Sequence, residues 1–263
     1  MISVLMSVYK KENPTFLKRA LESIYAQTLK ADEIVLVEDG VIPPALEEVI
    51  SRYPDLHIVK LEKNLQLGRA LEAGLKACQH ELVARMDTDD IMMPDRLEKQ
   101  YQFMLEHPDV AACGGDIAEF TEEDIILREK HMPTLPQDLY RYGKKRNPLN
   151  HMTVMFRKSA IEAVGGYRHF PGLEDYDLWS RLLANGYQIA NIPEVLVKAR
   201  IGDGFASRRG GWAYFKCYLR LRKEQHRIGY LNIKEYIVAC VLTFGITVMP
   251  EKLREKAYAV LRK

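Results

Sequence analysis

Short apolar runs alternate with amphipathic segments through the first part of the chain, and this alternation restricts the fold more than any other feature. Strand-like runs occupy residues 2–8, 33–37, 56–61 and 81–86, and each is followed by a segment with helical spacing of its apolar residues. Parallel strands need such crossovers, and strands that are apolar throughout are typical of sheets covered on both faces. Four strand–helix units in about 100 residues therefore predict an α/β fold with a doubly wound, mostly parallel sheet.

The second half of the chain has a less regular pattern. Residues 110–120 predict a strand with a bulge or a close approach at Gly114 and Gly115, and residues 125–131 predict a strand antiparallel to it. Residues 151–156 predict a further strand. The sheet is therefore expected to continue beyond the parallel units.

Carboxylates gather where two of the predicted strands end. The 81–86 strand runs directly into Asp87, Asp89 and Asp90, and the 33–37 strand runs into Glu38 and Asp39. Open α/β sheets hold their ligands at the carboxyl ends of the strands. Because crowded carboxylates repel each other, a hard divalent cation such as Mg²⁺ or Mn²⁺ is expected among Asp87 to Asp90. The alternative is that these acids only end a strand and cap a turn.

The first strand–helix turn excludes two common nucleotide-binding classes. Residues 7–12 read SVYKKE, with neither the Gly-x-Gly-x-x-Gly pattern of dinucleotide-binding domains nor a P-loop. Acids end the strands instead. This favours a ligand presented as a metal–diphosphate, or one whose base and ribose donate hydrogen bonds to carboxylates.

A second acidic cluster lies at residues 172–183, in a segment with helical spacing. Asp175 shares a stripe with the apolar residues three, four and seven positions later, so it is predicted to face the core or a cleft. Asp177 lies four residues before Arg181, and this spacing predicts an ordinary surface ion pair. The alternative for Asp175 is a carboxylate that complements the dipole at a helix start.

Charge is unevenly distributed along the chain. The net charge of the 263 residues is only +2, but residues 206–263 contain 13 Lys and Arg against 4 acids, whereas residues 1–205 contain 25 against 32. A basic tail on an acidic body predicts contact with something anionic. The four cysteines have no zinc-site spacing and predict a reducing compartment, and no signal peptide is expected.

Five motifs in order make the chain similar to glycosyltransferase family 2, which comprises inverting nucleotide-sugar transferases. They are residues 3–9 (SVLMSVY), 37–40 (VEDG), 67–70 (LGRA), 86–90 (MDTDD) and 174–179 (EDYDLW). Within the family, residues 147–151 (NPLNH) and 208–211 (RRGG) resemble those of amylovoran-type capsule, exopolysaccharide and O-antigen transferases.

The resemblance implies a GT-A fold with a Rossmann-like sheet and a domain division. Residues 1–205 would form the catalytic domain, with a nucleotide-sugar-binding half over 1–120 and an acceptor half over 121–205. Residues 206–263 would form a basic helical C-terminal region.

The resemblance also implies a role for each site residue. Asp39 would contact uracil, Asp87 would lie near the ribose or the metal, and Asp89 would be the main metal ligand. Asp175 would be the general base. The remaining candidates are Val8, Tyr9 and Glu12 around the base, Gly68 and Arg69 near the diphosphate, and Glu174 and His151 near the acceptor or a phosphate. An ordinary surface arginine and a structural histidine are the alternatives for Arg69 and His151.

The implied reaction suits these residue types. Bound Mn²⁺ or Mg²⁺ would neutralise charge on the departing diphosphate, and a base on a different element would act on the opposite face of the sugar. The donor would be a nucleotide-sugar, most simply a UDP-sugar, and the acceptor a saccharide or a polyprenyl-diphosphate-linked sugar. Because residues 208–212 match the processive Gln-x-x-Arg-Trp motif poorly, addition of one sugar is expected.

Two other functions stay open at this point. Residues 86–89 also resemble the nucleophile motif of haloacid-dehalogenase phosphatases, although that motif normally ends the first strand and here three strands precede it. A non-catalytic nucleotide-binding module is the other alternative. Nucleic acid is not expected as a partner, because the tail has no helix-turn-helix pattern and no aromatics interleaved on a sheet.

The basic tail predicts a membrane contact. Aromatic and aliphatic side chains accompany its cations, a composition that suits an anionic lipid surface. An ordinary helix packed on the catalytic body is the alternative. The expected location is the cytoplasm, with peripheral contact at the inner face of the cell membrane. The cations are Arg208, Arg209, Lys216, Arg220, Arg222, Lys223 and Arg227, and the apolar partners are Trp212, Tyr214, Phe215, Tyr218 and Leu219.

Overall fold

The computed structural model describes residues 1–121, 124–201, 211–250 and 253–254, and within them the chain forms a layered α/β structure. Arg208 and Arg209, which belong to the predicted membrane contact, lie outside the described residues. The nine strands of the described part are β1 (Ile2–Val8), β2 (Glu33–Glu38), β3 (His57–Lys60), β4 (Leu82–Arg85), β5 (Ile91–Met92), β6 (Val110–Phe120), β7 (Ile126–Lys130), β8 (Met155–Arg157) and β9 (Gln188–Arg200).

All nine strands join one sheet in the order β3-β2-β1-β4-β8-β6-β9-β5, with β7 paired to β6. The β3, β2, β1 and β4 strands are parallel, as the strand–helix units predict. Beyond β4 the sheet is mixed, because β8 is antiparallel to both β4 and β6 while β6 and β9 are parallel. The sheet therefore spans both halves of the predicted catalytic domain.

Helices cover both faces of this sheet. They are α1 (Pro14–Tyr25), α2 (Pro44–Ser51), α3 (Leu67–Ala77), α4 (Arg96–Glu106), α5 (Pro136–Gly143), α6 (Lys158–Ala163), α7 (Glu174–Ala184), α8 (Gly211–Arg227) and α9 (Ile233–Val248). Side chains from α1 and α2 form one buried core with Val4 and Met6 of β1, and side chains from α3 and α7 form a second core with Leu5. Alternate residues of β1 thus face different cores, which explains its continuous apolar sequence.

Two features of the second half behave as the sequence predicts. β6 covers the predicted residues 110–120, and its register with β9 shifts between Gly115 and Asp116. A Cβ atom added at Gly114 would lie 2.6 Å from Oδ1 of Asn191, so this position needs glycine for a close approach. β7 is antiparallel to β6, as expected.

The predicted strand over residues 151–156 is wrong in its first half. His151–Thr153 forms a 3₁₀ turn, and only Met155–Arg157 is a strand. The hydroxyl of Thr153 donates to the carbonyl of Asn150 at 2.8 Å and accepts from the backbone N–H of Gly115 at 3.0 Å. The local bond to Asn150 competes with strand pairing. The bond from Gly115, which is 38 residues away in sequence, holds the turn before β8.

The α8 and α9 helices form a hairpin at the end of the described chain, and α8 contacts α7. The side chain of Asn232 begins α9 in a capping box with Glu235. Among the described residues, no helix has both the length and the apolar content needed to cross a bilayer.

Candidate active site

The carboxyl ends of β1, β2 and β4 meet at one edge of the sheet, and the predicted nucleotide-binding residues lie at this edge. Val8 ends β1 and pairs with Glu38 at the end of β2, while β4 ends at Arg85, two residues before Asp87. Val8 is fully buried and the next residue, Tyr9, is partly exposed. The topology therefore brings the strand-end acids into one cleft edge, as the strand pattern predicts.

Asp39 is held rigidly by the loop that precedes α3. One carboxylate oxygen accepts from the backbone N–H of Leu65 at 2.6 Å, and the other accepts from Nδ2 of Asn64 at 2.9 Å. Gly40 has φ +84°, and a Cβ there would lie 2.7 Å from the backbone nitrogen of Asn64. Each carboxylate oxygen has a second lone pair, so Asp39 can still accept a hydrogen bond from a ligand.

Gly68 allows α3 to approach the segment before α7. A Cβ on Gly68 would lie 2.4 Å from the carbonyl oxygen of Arg168 and 3.1 Å from Cβ of Glu174. This packing reason was not predicted, and it places the start of α3 beside the second acidic cluster. The neighbouring Arg69 is exposed at the same helix start, and its contact with a diphosphate stays a prediction.

Three carboxylates form the first acidic cluster. Asp87, Asp89 and Asp90 each offer a ligand atom, and these atoms lie within 4.8 Å of one another. The backbone N–H of Arg200 donates to Oδ1 of Asp90 at 2.8 Å, and its side-chain Nε donates to the carbonyl oxygen of Asp89 at 3.0 Å. Oδ2 of Asp90 is buried and has no hydrogen-bond partner in the described part of the chain.

The pKa values in this cluster are raised. Burial and then the charge of Asp87 raise the pKa of Asp89 to about 6, and the same two causes raise the pKa of Asp90 well above its usual value. Glu12 joins the cluster through a hydrogen bond with Thr88, and burial followed by Asp89 raises its pKa to about 7. A set of crowded oxygen donors with an unpartnered buried oxygen fits a hard divalent cation such as Mg²⁺ or Mn²⁺.

Arg85 is a buried cation of this candidate site that sequence reasoning missed. It is only 2% exposed, pairs with Asp87, and has no hydrogen-bond partner for Nε or Nη1 among the residues described. Burial would lower its pKa, but the charge of Asp87 raises it, so the guanidinium stays charged. Burial raises the pKa values of Glu174 and Asp175, and the positive charge of Arg85 offsets part of that rise. A charged residue inside an apolar strand was the available signal.

Glu174 and Asp175 form the second acidic cluster, at the start of α7. One carboxylate oxygen of Asp175 accepts from the backbone N–H of Tyr176 at 2.7 Å, and the other accepts from Nδ2 of Asn147. Burial raises the pKa of Asp175, and these two hydrogen bonds offset part of the rise. Glu174 is 7% exposed, and burial followed by the charge of Asp175 raises its pKa to about 7.

We expect Glu174→Gln to be more stable than the wild type at high pH. Between its ordinary pKa of 4.5 and its folded value of about 7, Glu174 holds more proton in the native state, so the free energy of unfolding falls as pH rises. The variant has no carboxylate to deprotonate at this position, so its free energy of unfolding at pH 8 should exceed that of the wild type by about 1–3 kcal/mol. Urea unfolding of both proteins at pH 5 and pH 8 measures the gain, with the exposed Glu106→Gln as control. A gain of equal size at both values of pH would contradict the assignment.

His151 is buried rather than exposed in the cleft. Its Nε2 lies 2.9 Å from the hydroxyl of Tyr167, and its ring lies edge-on to Trp179. Burial, and then the charge of Arg85, lowers the pKa of His151 well below its usual value, so the ring is neutral. This packing agrees with the structural alternative considered for His151.

The prediction of a surface ion pair between Asp177 and Arg181 is wrong. The two side chains are 2.9 Å apart as predicted, but Asp177 is 1% exposed and Arg181 is equally buried. Arg181 also donates to the carbonyl oxygens of Val164 and Gly166. Helical spacing identifies which side chains of a helix meet, but it does not show what covers them. Here α3, α6 and α8 contact α7, and the face that carries Asp177 and Arg181 is buried.

The fold and the site thus define an α/β protein with two acidic clusters at the carboxyl edge of its sheet, and the comparisons with known proteins give its family. Residues 3–164 match the family model "Glycosyl transferase family 2". The chain belongs to glycosyltransferase family 2, and it is an enzyme of that family. The haloacid-dehalogenase phosphatase alternative is therefore wrong.

Two relatives and one solved structure are similar along nearly the whole chain. The amylovoran biosynthesis glycosyltransferase AmsE of Erwinia amylovora is 42% identical, with both chains covered in full. An Escherichia coli UDP-Gal:α-D-GlcNAc-diphosphoundecaprenol β-1,3-galactosyltransferase is 36% identical over 97% of this chain and 94% of its own. A mannosyltransferase from Pyrobaculum calidifontis, solved with GDP-Man and Mn²⁺, matches with a TM-score of 0.64 at 16% identity, covering 99% and 79% of the two chains. The GT-A fold implied by the resemblance is confirmed.

Proposed function

We propose that the protein transfers one sugar from a UDP-sugar to a lipid-linked oligosaccharide or a growing surface polysaccharide, with inversion and with bound Mn²⁺ or Mg²⁺. The observation that carries this proposal is the pair of acidic clusters near the buried Arg85, one of which would hold the cation while the other would provide the base. The E. coli relative, which is named for UDP-Gal and a diphosphoundecaprenol-linked sugar, supports the donor and acceptor classes. The Mn²⁺ in the mannosyltransferase structure supports the cation.

The first cluster would hold the cation and the donor diphosphate. Asp89 and Oδ2 of Asp90 offer carboxylate oxygens, and Arg85 fixes the orientation of Asp87. When bound, the cation supplies positive charge to the diphosphate as it leaves. Arg85 stays charged without a full set of partners, so it can also stabilise negative charge that develops nearby.

Asp39 would select the base. Its two oxygens are fixed by Asn64 and Leu65, so the carboxylate presents acceptors in one orientation. The imide N–H of uracil is a donor that fits such an acceptor. Val8 and Tyr9, at the end of β1, would border the ring.

Asp175 would remove the acceptor proton. Hydrogen bonds from Asn147 and from the backbone of Tyr176 orient its carboxylate, and its raised pKa makes it a stronger base than an ordinary aspartate. Asp175 begins α7, whereas the cation cluster follows β4, so the two clusters can act on opposite sides of a bound sugar. With a lipid-linked acceptor, the reaction would take place at the inner face of the cell membrane.

Replacing Asp89 with alanine is expected to abolish Mn²⁺-dependent binding of UDP, a loss of at least ~10-fold in affinity. The diphosphate would then face Asp87 and Asp90 with a weakened cation site. Calorimetry of UDP with Mn²⁺, and with EDTA in its place, measures the effect. Asp95→Ala is the matched control, because Asp95 pairs with Lys99 at the surface. Undiminished Mn²⁺-dependent binding in the Asp89 variant would count against the cation site.

A further inference from the structure

The outer side of the α8–α9 hairpin has an apolar half that nothing in the described chain covers. No charged residue follows Glu235 in α9, and apart from Gly245 its exposed positions are aliphatic or aromatic over about three turns. Val241 is 65% exposed and Ile237 is 55% exposed. The exposed apolar residues of this helix are Ile233, Ile237, Val238, Val241, Leu242, Phe244 and Val248.

The other half of the outer side is cationic. Lys216, Arg220, Lys223 and Arg227 recur at intervals of three and four residues and are all exposed, so they form one stripe along α8. Residues 211–249 contain six Lys and Arg but only two acids. Both acids have partners within the protein. Glu224 pairs with Arg168 and Arg227, and Glu235 pairs with Lys144.

Ring contacts fix how the two helices lie. Trp212 and Phe215 near the start of α8 contact Phe244 near the end of α9, while His226 near the end of α8 stacks on Tyr236 near the start of α9. The helices are therefore antiparallel and side by side.

Helical periodicity places each stripe opposite to the buried residues of its own helix. Leu221 and Gln225 of α8 are buried, and the cationic stripe lies roughly opposite to them on that helix. Ala239 and Thr243 of α9 are buried, and Val241 lies roughly opposite to them on its own helix. Both stripes are therefore exposed on neighbouring helices, and the guanidinium of Arg220 also lies 4.3 Å from the ring centre of Phe170. Trp212, which is 63% exposed, lies next to both stripes.

We propose that this outer side of the hairpin rests on an anionic lipid surface, with α9 in the plane of the interface. A 16-residue helix is about 24 Å long, shorter than the ~30 Å of a bilayer core, so α9 suits the interface rather than a span. Apolar side chains beside lysine and arginine, with a tryptophan between them, match acyl chains beside anionic headgroups. A second copy fits less well, because the hairpin of that copy would offer the cationic stripe no unpaired acid.

Such a contact would bring the active site to a lipid-linked acceptor, so the inference deepens the proposed function. Lipid binding is measured without donor or acceptor, however. Failure of vesicle binding would therefore contradict the membrane contact alone, and failure of sugar transfer would contradict the proposed function alone.

Flotation of the full chain with vesicles tests the contact. We expect binding to vesicles of phosphatidylcholine with phosphatidylglycerol, at least ~10-fold weaker binding to phosphatidylcholine alone, and weakening by salt. The double variant Ile237→Glu/Val241→Glu should lose at least ~10-fold in binding to the anionic vesicles. The double variant Lys216→Glu/Lys223→Glu should lose the preference for anionic vesicles.

Controls make the same kinds of substitution elsewhere, one residue at a time. Leu105→Glu on α4 alters a residue that is as exposed as Ile237, and Lys30→Glu reverses a surface lysine outside the hairpin. Both should bind vesicles as the wild type does, and all variants should keep UDP affinity as a check on folding. Equal recovery of wild type with neutral and anionic vesicles would overturn the proposal. So would a concentration-dependent dimer that the Ile237/Val241 variant abolishes while its vesicle binding is unchanged.

Discussion

Replacing Asp175 with asparagine is expected to lower the rate of sugar transfer by ~10²–10⁴-fold and to leave donor affinity nearly unchanged, because that is the usual effect of removing a positioned general base. The amide keeps the shape of the side chain and can still accept a hydrogen bond from Asn147 or from the backbone of Tyr176. It cannot accept the proton of the acceptor hydroxyl. The change therefore separates catalysis from binding.

The measurement needs two readouts, the rate of transfer to acceptor and the affinity for UDP with Mn²⁺. Glu174→Gln, one position earlier in the same helical turn, is the matched control and should keep transfer within about tenfold of the wild type. If Glu174→Gln loses transfer and Asp175→Asn keeps it, Glu174 is the base. If Asp175→Asn loses UDP affinity, Asp175 belongs to the donor site.

Replacing Asp177 with asparagine is expected to cost about 3–5 kcal/mol in the free energy of unfolding, because breaking a buried ion pair leaves an uncompensated charge. Burial raises the pKa of Asp177 and lowers the pKa of Arg181, so each charge depends on the other. Arg181 would then have only neutral acceptors, which are the new amide oxygen and the carbonyl groups of Val164 and Gly166. Sugar transfer should persist under all conditions in which the variant stays folded.

Urea unfolding of Asp177→Asn beside Glu22→Gln measures this cost. Glu22 forms a pair of the same spacing with Lys18, but both side chains are about half exposed, so its loss should change stability by less than about 0.5 kcal/mol. The double variant Asp177→Asn/Arg181→Met should recover part of the lost stability. If Asp177→Asn and Glu22→Gln lost equally little stability, the burial of the Asp177–Arg181 ion pair would not strengthen it, which would contradict this prediction.

The sequence predicted those parts of the structure that depend on local pattern. Continuous apolar runs identified β1, β2 and β4, because strands buried on both faces cannot alternate with polar residues. Acids at the ends of such strands identified Asp39 and the Asp87 cluster, because parallel strands end at the same edge. The Gly114-Gly115 pair identified the irregularity in β6.

The features that the sequence did not predict depend on long-range packing. Spacing paired Asp177 with Arg181 but could not reveal that other helices cover the pair. Arg85 was overlooked because the sequence does not show that Glu174 and Asp175, about 90 residues later, come close enough for its charge to act on them. The start of the 151–156 segment has the composition of a strand, yet the contact between Thr153 and Gly115 turns it into a 3₁₀ helix. In each case the deciding neighbour lies at a distance in sequence.

The central claim is that this chain is a cation-dependent sugar transferase that uses a nucleotide-sugar donor, and release of the nucleotide tests it most directly. The full chain would be incubated with UDP-, GDP- and dTDP-sugars in turn, with Mn²⁺ or with EDTA, and free nucleoside diphosphate would be measured. We expect slow release from a UDP-sugar with Mn²⁺, loss of that release with EDTA, and the same loss in Asp89→Ala. Release that persists undiminished with EDTA, or that is equal for all donors, would contradict the account.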